Sequence, residues 1–341
     1  MKPTTIYDVA REAGVSIASV SNAINGKGKI GKKKREEILK VMERLNYQPS
    51  VIASALTGKK TYTLGLLIPD VANPFFAEIA RAVEDIAHSA GYSVITCSTD
   101  HQDERVLTYI RLLEQKSVDG ILIGTGGGAD ILAQLAEKPL PTVTIAREVQ
   151  GLPVSGVATD DFRGASLAAA HLLALGHRRM AVLAEDLKVS SSQERVRGFR
   201  FSLFETGVRL EDEDILPCAS SIEDGKRATL ELLRRSDRPT ALFCSNELLA
   251  VGALQAAREA GIAVPADLSV VGYDNTLLST ATNPLLTTVA QPIEQMVKLA
   301  FELLIGIGQE SAGLVPQRIV MQPELVVRES TGRPSTTEAI D

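Results

Sequence analysis

Residues 5–25 read TIYDVAREAGVSIASVSNAIN, and this stretch decides how the N-terminal part of the chain folds. Ile6, Val9, Ala10 and Ala13 recur at helical spacing and give one apolar face. Gly14 follows, where a tight turn calls for a residue that accepts φ > 0. Ser16 is placed to cap a second helix running from Ile17 to about Asn25, with Val20 and Ile24 turned inward. Small Ala10 and apolar Val15 and Val20 let two short helices cross closely. The spacing predicts a helix-turn-helix, a motif whose second helix enters the major groove of DNA.

Charge supports the same reading. Residues 1–60 hold twelve Lys and Arg against five acids, a balance of +7. The whole chain is −6, which leaves −13 for residues 61–341. A basic head on an acidic body is a nucleic-acid footprint that the overall pI of 5.5 conceals. Beyond the second helix, NGKGKIGKKKREE is a polar loop leading into a third helix over 32–46. Its Ile38, Leu39, Met42 and Leu45 close a three-helix domain. The KKKR run at 32–35 reads as a solvated helix start near phosphates. Tyr47 to Lys60 is a linker in which Pro49 and SVIASAL, 50–56, are compatible with two helical turns. A helix this short is marginal alone in water.

At 341 residues the chain exceeds one typical core, so two or three domains are expected. No apolar run reaches the length of a membrane span, and the N-terminus lacks the apolar stretch of a signal peptide. Cys97, Cys218 and Cys244 are odd in number and scattered, which fits buried thiols in a reducing, cytoplasmic setting better than a disulfide frame or zinc site. From Tyr62 the pattern becomes alternating strands and helices: TLGLLIP, then FFAEIARAVEDIAHSAG, YSVITCST, VLTYIRLLEQKS, DGILIG and onward. A second series begins near Asp161. Such alternation implies parallel sheets flanked by helices, here as two similar lobes. Ligands in these sheets sit beyond the carboxyl ends of the strands, so a cleft between lobes is the expected site.

One motif points elsewhere. Gly124 to Ala129 satisfies G-x-G-x-x-A, with Glu148 near the position of the later acid, the pattern of a dinucleotide enzyme using NAD. It stands on a late strand of its lobe, whereas the fingerprint opens the fold, and a loop at the cleft rim is the better reading. His88, His101, His171 and His177 form no H-E-x-x-H, and the chain has neither G-x-S-x-G nor a Walker A sequence. No enzyme, metal or cofactor is expected.

IYDVAREAGVSIASVSNAING, LNYQPSVIASAL, LGLLIPDVANPFFAEIARAVED, ALGHRRMAVL and VVGYDNTLLSTATNPLLTTVAQP together resemble the LacI/GalR family of bacterial transcription regulators, in that family's order, over about residues 4–330. The resemblance implies an all-α helix-turn-helix domain (1–46), a hinge helix or linker (47–60) and a periplasmic-binding-protein-like body. The body would have an N-terminal lobe (61–160 with 290–322) and a C-terminal lobe (161–289 with 323–330); the tail (331–341), polar, Pro-containing and poor in apolar residues, is expected from its composition to be disordered. The resemblance also implies a dimeric, effector-controlled repressor on a near-palindromic operator; the tail has no heptads for a tetramer. Ile17, Ala18 and Asn22 would face the bases: Asn suits adenine and Ile a thymine methyl. Thr5, Ser16, Ser19, Ser21 and Asn25 are short donors suited to phosphates. Many relatives carry a larger polar residue and an Arg at positions 17 and 22, so the operator sequence does not follow. Leu56 would be the wedge that the hinge inserts into the minor groove; a plain tether with Leu56 packed on the body is the alternative.

In the body, Asn73, Phe75, Phe76, Asp100, Arg147, Ser191, Arg195, Asn246, Asp274 and Gln291 each fall after an apolar strand or at a lobe crossing. Aromatic faces with carboxylate, amide and guanidinium groups suit a sugar or sugar phosphate. Arg195, Asn246 and Asp274 match positions where sugar-responsive relatives read hydroxyls. Asn73, Phe75 and Phe76 are equally explained by packing and a helix cap. A protein co-regulator, as in catabolite-control relatives, is the alternative to a small effector. A sugar-transport protein would share the body but would need an export signal and no basic head.

Overall fold

A computed structural model of the chain describes residues 4–25, 30–47, 60–124, 129–136, 140–147, 153–308 and 315–335. The chain divides into two compact units, residues 1–61 and 62–341.

The first unit contains α1 (Ile6–Glu12), α2 (Ile17–Asn25) and α3 (Lys32–Arg44). Their inward faces meet in a small core of Val9, Ala10, Val20, Ala23, Ile38 and Met42. Gly14 makes the turn at φ +62°, and a Cβ there would meet nothing within 4 Å. The backbone angle, and not crowding, therefore selects glycine at this position. Thr5 opens α1 through its backbone N–H and hydroxyl, both donating to Asp8 Oδ2, at 3.0 and 2.6 Å. At the start of α2 the Ser19 N–H donates to Ser16 Oγ at 3.1 Å, the expected cap. The basic start of α3 is more engaged than a solvated run: Arg35 Nε donates to the Ala23 carbonyl at 3.0 Å and Lys34 Nζ to that of Ala13 at 3.4 Å. Two of the cations thus satisfy carbonyls at the ends of α1 and α2.

The second unit holds two six-stranded sheets. The first runs in the order β11-β5-β4-β3-β1-β2, formed by β1 (Thr63–Ile68), β2 (Ser93–Ser98), β3 (Gly120–Ile123), β4 (Thr142–Ile145), β5 (Ser155–Thr159) and β11 (Arg318–Met321). All of its pairings are parallel. Leu64, Leu66 and Ile68 of β1 point to one face, against α4 (Pro74–Ser89) and α12 (Ile293–Ile307). Leu67 points to the other, with Val106, Ile110 and Leu113 of α5 (Asp103–Gln115) and Ile131 and Leu135 of α6 (Ala129–Ala136). This two-residue alternation is what a strand covered on both faces requires.

The second sheet has the order β12-β10-β9-β8-β6-β7. Its strands are β6 (Met180–Ala184), β7 (Ile215–Pro217), β8 (Ala241–Cys244), β9 (Ser269–Asp274), β10 (Thr287–Ala290) and β12 (Glu324–Val326), the last antiparallel to β10. It is covered by α7 (Asp161–Leu175) and α8 (Ser190–Phe204) on one side. On the other lie α9 (Ile222–Leu233) and α10 (Glu247–Glu259). A single turn, α11 (Leu278–Ala281), follows β9. The chain passes between sheets after β5, between β10 and α12, and between β11 and β12.

The tail expected to be disordered from residue 331 is held at its start. Thr331 Oγ1 lies 2.9 Å from His171 Nε2, and the Gly332 carbonyl accepts from His177 Nε2 at 2.9 Å. His177 is itself buried and reaches Thr240 and Ser269. Buried imidazoles need partners, and the backbone after Ser330 supplies them. Residues 336–341 lie outside the described part. The three cysteines are buried and free.

Candidate nucleic-acid interface and ligand cleft

On α2, the side turned from the core carries Ile17, Ala18 and Asn22, all exposed, with Ile17 at 40% of its full area. A singly exposed isoleucine is ordinary on a protein surface; what suits this face to DNA is its chemistry, since Ile, Ala and Asn together fit the edges of base pairs. Thr5 is exposed, and Ser16 and Ser19 share a hydrogen bond at 3.0 Å at the start of α2. These short hydroxyls lie at the starts of α1 and α2, and a helix start is a place that a phosphate oxygen favours. Ser21 is half-buried on the same helix. Leu56 and the side chain of Asn25 lie outside the described residues, as do 48–59 of the linker and Glu148.

In the body, the strand ends bring three of the expected residues into one network. Gln291, between β10 and α12, donates from Nε2 to Asp274 Oδ1 at 2.8 Å. Its Oε1 accepts from Thr159 Oγ1, at the end of β5, at 2.8 Å. Arg195, on α8, places Nη1 at 3.7 Å from Asp274 Oδ1 and lies over the Tyr273 ring at 3.6 Å. Its Nη1 also donates to the Ser245 carbonyl, and its Nε donates to Asp161 Oδ1 at 2.7 Å. Asp161 was not among the expected residues; it sits at the first position of α7, just past the crossing out of β5. Thr159, Gln291, Asp274, Arg195 and Asp161 therefore form a polar chain that begins and ends on the same crossing segment.

Close helix packing makes this possible. A Cβ on Gly198 would collide with the Phe162 carbonyl, so α8 lies directly on α7 and Arg195 reaches Asp161. Burial pushes the Asp274 carboxyl up to about 8, against the pull of Arg195, with Glu247 adding to the rise. Burial also raises Asp161, opposed by Arg195. For Arg195, burial lowers the guanidinium, but Asp161, Tyr273 and Asp274 outweigh it and hold it firmly charged.

Glu247, likewise unexpected, is buried at the start of α10 and accepts two N–H···O contacts from Thr276 N, each at 3.1 Å. Burial lifts it to about 7, the Thr276 bonds hold it down, and Glu78 contributes repulsion. Glu78 comes from the first lobe and accepts from the Leu277 N–H at 3.1 Å, a bond between lobes. Neither Glu announces itself in the sequence, because both depend on partners far along the chain.

The remaining expected residues are placed as follows. Asn246 caps α10 by accepting from Leu249 N at 3.0 Å and donates from Nδ2 to Ser220 Oγ at 2.8 Å. Asn73 caps α4, its Oδ1 accepting from Phe75 N at 3.0 Å. Phe75 is buried in the first lobe's core, and Phe76 packs on it with ring centroids 5.1 Å apart. Asp100 is exposed and bridged by Arg105. Arg147, after β4, is half-buried; burial lowers its guanidinium and Asp103 raises it. Ser191 is half-buried in the first turn of α8. Direct contacts join Arg195, Asp274 and Gln291, whereas Asn73, Asp100, Arg147 and Ser191 follow separate strands. Gly124, which opens the G-x-G-x-x-A run, donates its N–H to the Leu67 carbonyl at 2.8 Å. Among the described residues no group of His, Cys, Asp and Glu is arranged to hold a metal ion, and no helix is long and apolar enough to cross a membrane.

Residues 5–50 match the family described as bacterial regulatory proteins, lacI family, and residues 169–331 match a periplasmic binding protein-like domain. The HTH-type transcriptional regulator DegA of Bacillus subtilis is 42% identical over 334 residues, covering 96% of this chain and 98% of that one. The chain belongs to the LacI family. It is a DNA-binding transcription regulator with a helix-turn-helix head and a two-lobed body of parallel sheets. Among solved structures, the lac repressor dimer bound to operator and the anti-inducer ONPF aligns with a TM-score of 0.86 at 30% identity, over 97% of this chain and all of that one. A complex of the transcriptional regulator CelR with cellobiose aligns at 0.73 and 29%, over 96% and 99%.

Proposed function

We propose that this LacI-family regulator is a repressor that binds a near-palindromic operator as a dimer, under the control of a small carbohydrate held between the lobes of its body. The observation that carries the effector reading is the Arg195–Asp274–Gln291 cluster at the strand ends. It concentrates buried donors and acceptors where an α/β sheet binds ligands, and it includes a residue on the crossing between β10 and α12. The solved relatives named above include one bound to operator and one bound to cellobiose, which supports both halves of the reading.

The mechanism follows from the topology. Thr159 and Gln291 lie on two of the segments that join the lobes, and both are bonded into the cluster. A ligand that donates to Asp274 or accepts from Arg195 competes with those bonds and changes the preferred lobe orientation. That orientation would set the spacing of the two linkers, so that one two-state element biases both effector and operator binding. In the linker, Leu56 would act as a minor-groove wedge that bends the duplex.

Operator affinity measured by fluorescence anisotropy against a panel of sugars and sugar phosphates tests the reading. One compound is expected to shift the affinity by about 5–150-fold, the usual range of coupling energies. Tight specific binding that no compound alters would overturn the carbohydrate reading and favour a protein co-regulator.

A further inference from the structure

A side-chain cation is the strongest single receptor for a phosphorylated sugar, and the cation on the second lobe's side of the cluster is already committed. The Arg195 side chain is 9% exposed, beside Asp161 at 12% and Asp274 at 6%. Its Nε is bonded to a carboxylate, its Nη1 to a backbone carbonyl with a second carboxylate at 3.7 Å, and its plane lies on Tyr273. Two acids face this single guanidinium, and Glu247 and Glu185 add negative charge around Asp274. A guanidinium is a strong phosphate receptor only while its fork is open. Here a phosphate ester, with about two negative charges near neutral pH, would meet the Asp161 carboxylate already bonded to that cation. A hydroxyl, by contrast, donates to a carboxylate at little cost.

We propose that Asp161 is the specificity-determining residue of this cleft: by occupying Arg195 it leaves the floor a hydrogen-bonding surface with no open cation, which admits an uncharged polyol and rejects the phosphate ester of the same sugar. The proposal rests on the cleft being the effector site, and it goes further by naming the class of ligand. Asp161 acts through Arg195 and is a positioning residue. On the first lobe, Asp100 is bridged by Arg105 and Asp103 is the charge that acts on Arg147, so the cations at those strand ends also stand beside acids.

The test uses the full chain and two readouts. The first is the thermal midpoint in the presence of inorganic phosphate or glucose 6-phosphate, each compared with chloride at equal ionic strength. Wild type should gain nothing, Asp161→Asn should gain several degrees from both anions, and Asp161→Glu should restore the wild-type indifference. The second is the ionisation of Asp274, followed by carboxyl carbon-13 NMR with selective labelling and assigned with Asp274→Asn. Freed from Asp161, Arg195 faces Asp274 alone, so the midpoint should fall by about one pH unit or more in Asp161→Asn. A merely structural Asp161 would move neither.

Stabilisation of wild type by phosphate that is lost in Arg195→Met would overturn the proposal, and this arm does not depend on any Asp161 variant folding. So would an Asp274 midpoint, or a phosphate response, unchanged in Asp161→Asn. The Asp274 titration needs no effector. Failure of every sugar to alter operator binding would therefore refute the effector reading separately.

Discussion

Arg195→Met keeps most of the length and apolar stem of the side chain and removes its charge. Asp161 and Asp274 then lose the cation they both face. Asp274, which burial lifts to about 8, holds a proton near neutral pH in the wild type, so its neutralisation is already part of wild-type stability. Asp161 bears the change, since burial raises it and Arg195 is what opposes that rise. Forcing a carboxyl of ordinary pKa about 3.9 to stay protonated at about pH 7 costs about 4 kcal/mol. Part of that rise exists with Arg195 present, so the substitution should cost roughly 2–4 kcal/mol, within reach of the cost of breaking a buried ion pair. The sign with pH is fixed. In the variant the folded state keeps a proton that the unfolded chain releases above about pH 4, so stability falls as pH rises. The penalty relative to wild type should therefore shrink by up to about 1.4 kcal/mol per unit on going from about pH 7 to about pH 5. Denaturant titrations of both proteins across that range measure it directly. A penalty that does not change with pH would refute the reasoning, because it would mean that lost packing, and not a stranded carboxylate, accounts for the loss.

Three further outcomes are expected. Asn22→Ala should weaken binding to the best DNA site by about 1–3 kcal/mol and relax preference at one base position in each half-site, read by competition with single-base variants. Gly14→Val places a β-branched residue at φ +62° and should melt the head, with loss of its dispersed amide NMR signals and of operator binding, while the body keeps its thermal transition. Burial, with a smaller push from His171, holds the His177 imidazole below its ordinary value, against the bond to Gly332. The stabilisation from this buried neutral imidazole is present above about pH 6.5 and fades as pH falls through that value, because the unfolded chain then takes up the proton. Hydrogen-exchange protection of the segment after Ser330 should decline over that interval, and protection that ignores pH would contradict it.

The head was legible because each of its requirements is local. Val9, Ala10, Val20 and Ile38 follow helical spacing, Gly14 supplies a backbone angle, and Ser16 lies three residues from the N–H it caps. The alternation of apolar strands and helices gave the two sheets for the same reason. The polar cluster of the body was legible in part. Arg195, Asp274 and Gln291 do meet, since strand ends and crossings converge in this topology. What the sequence concealed is who answers them. Asp161 lies 34 residues before Arg195 and looks like an ordinary helix-start acid. Glu247 directly follows Asn246, and its burial depends on Thr276. Tyr273 sits in a continuous apolar strand, and nothing in that run marks its ring as the surface beneath a guanidinium. The tail failed differently. Its composition is that of a disordered segment, but Thr331 and Gly332 are held by two buried or half-buried histidines that no composition count can foresee.

Whether the α2 face reads DNA sequence is decided by selection of binding sites from random duplexes. Wild type should enrich a near-palindromic site, and Ile17→Ala combined with Asn22→Ala should lose that preference while keeping salt-dependent, non-specific affinity. Enrichment of the same site by the double variant, or no enrichment by wild type at any salt concentration, would contradict the account.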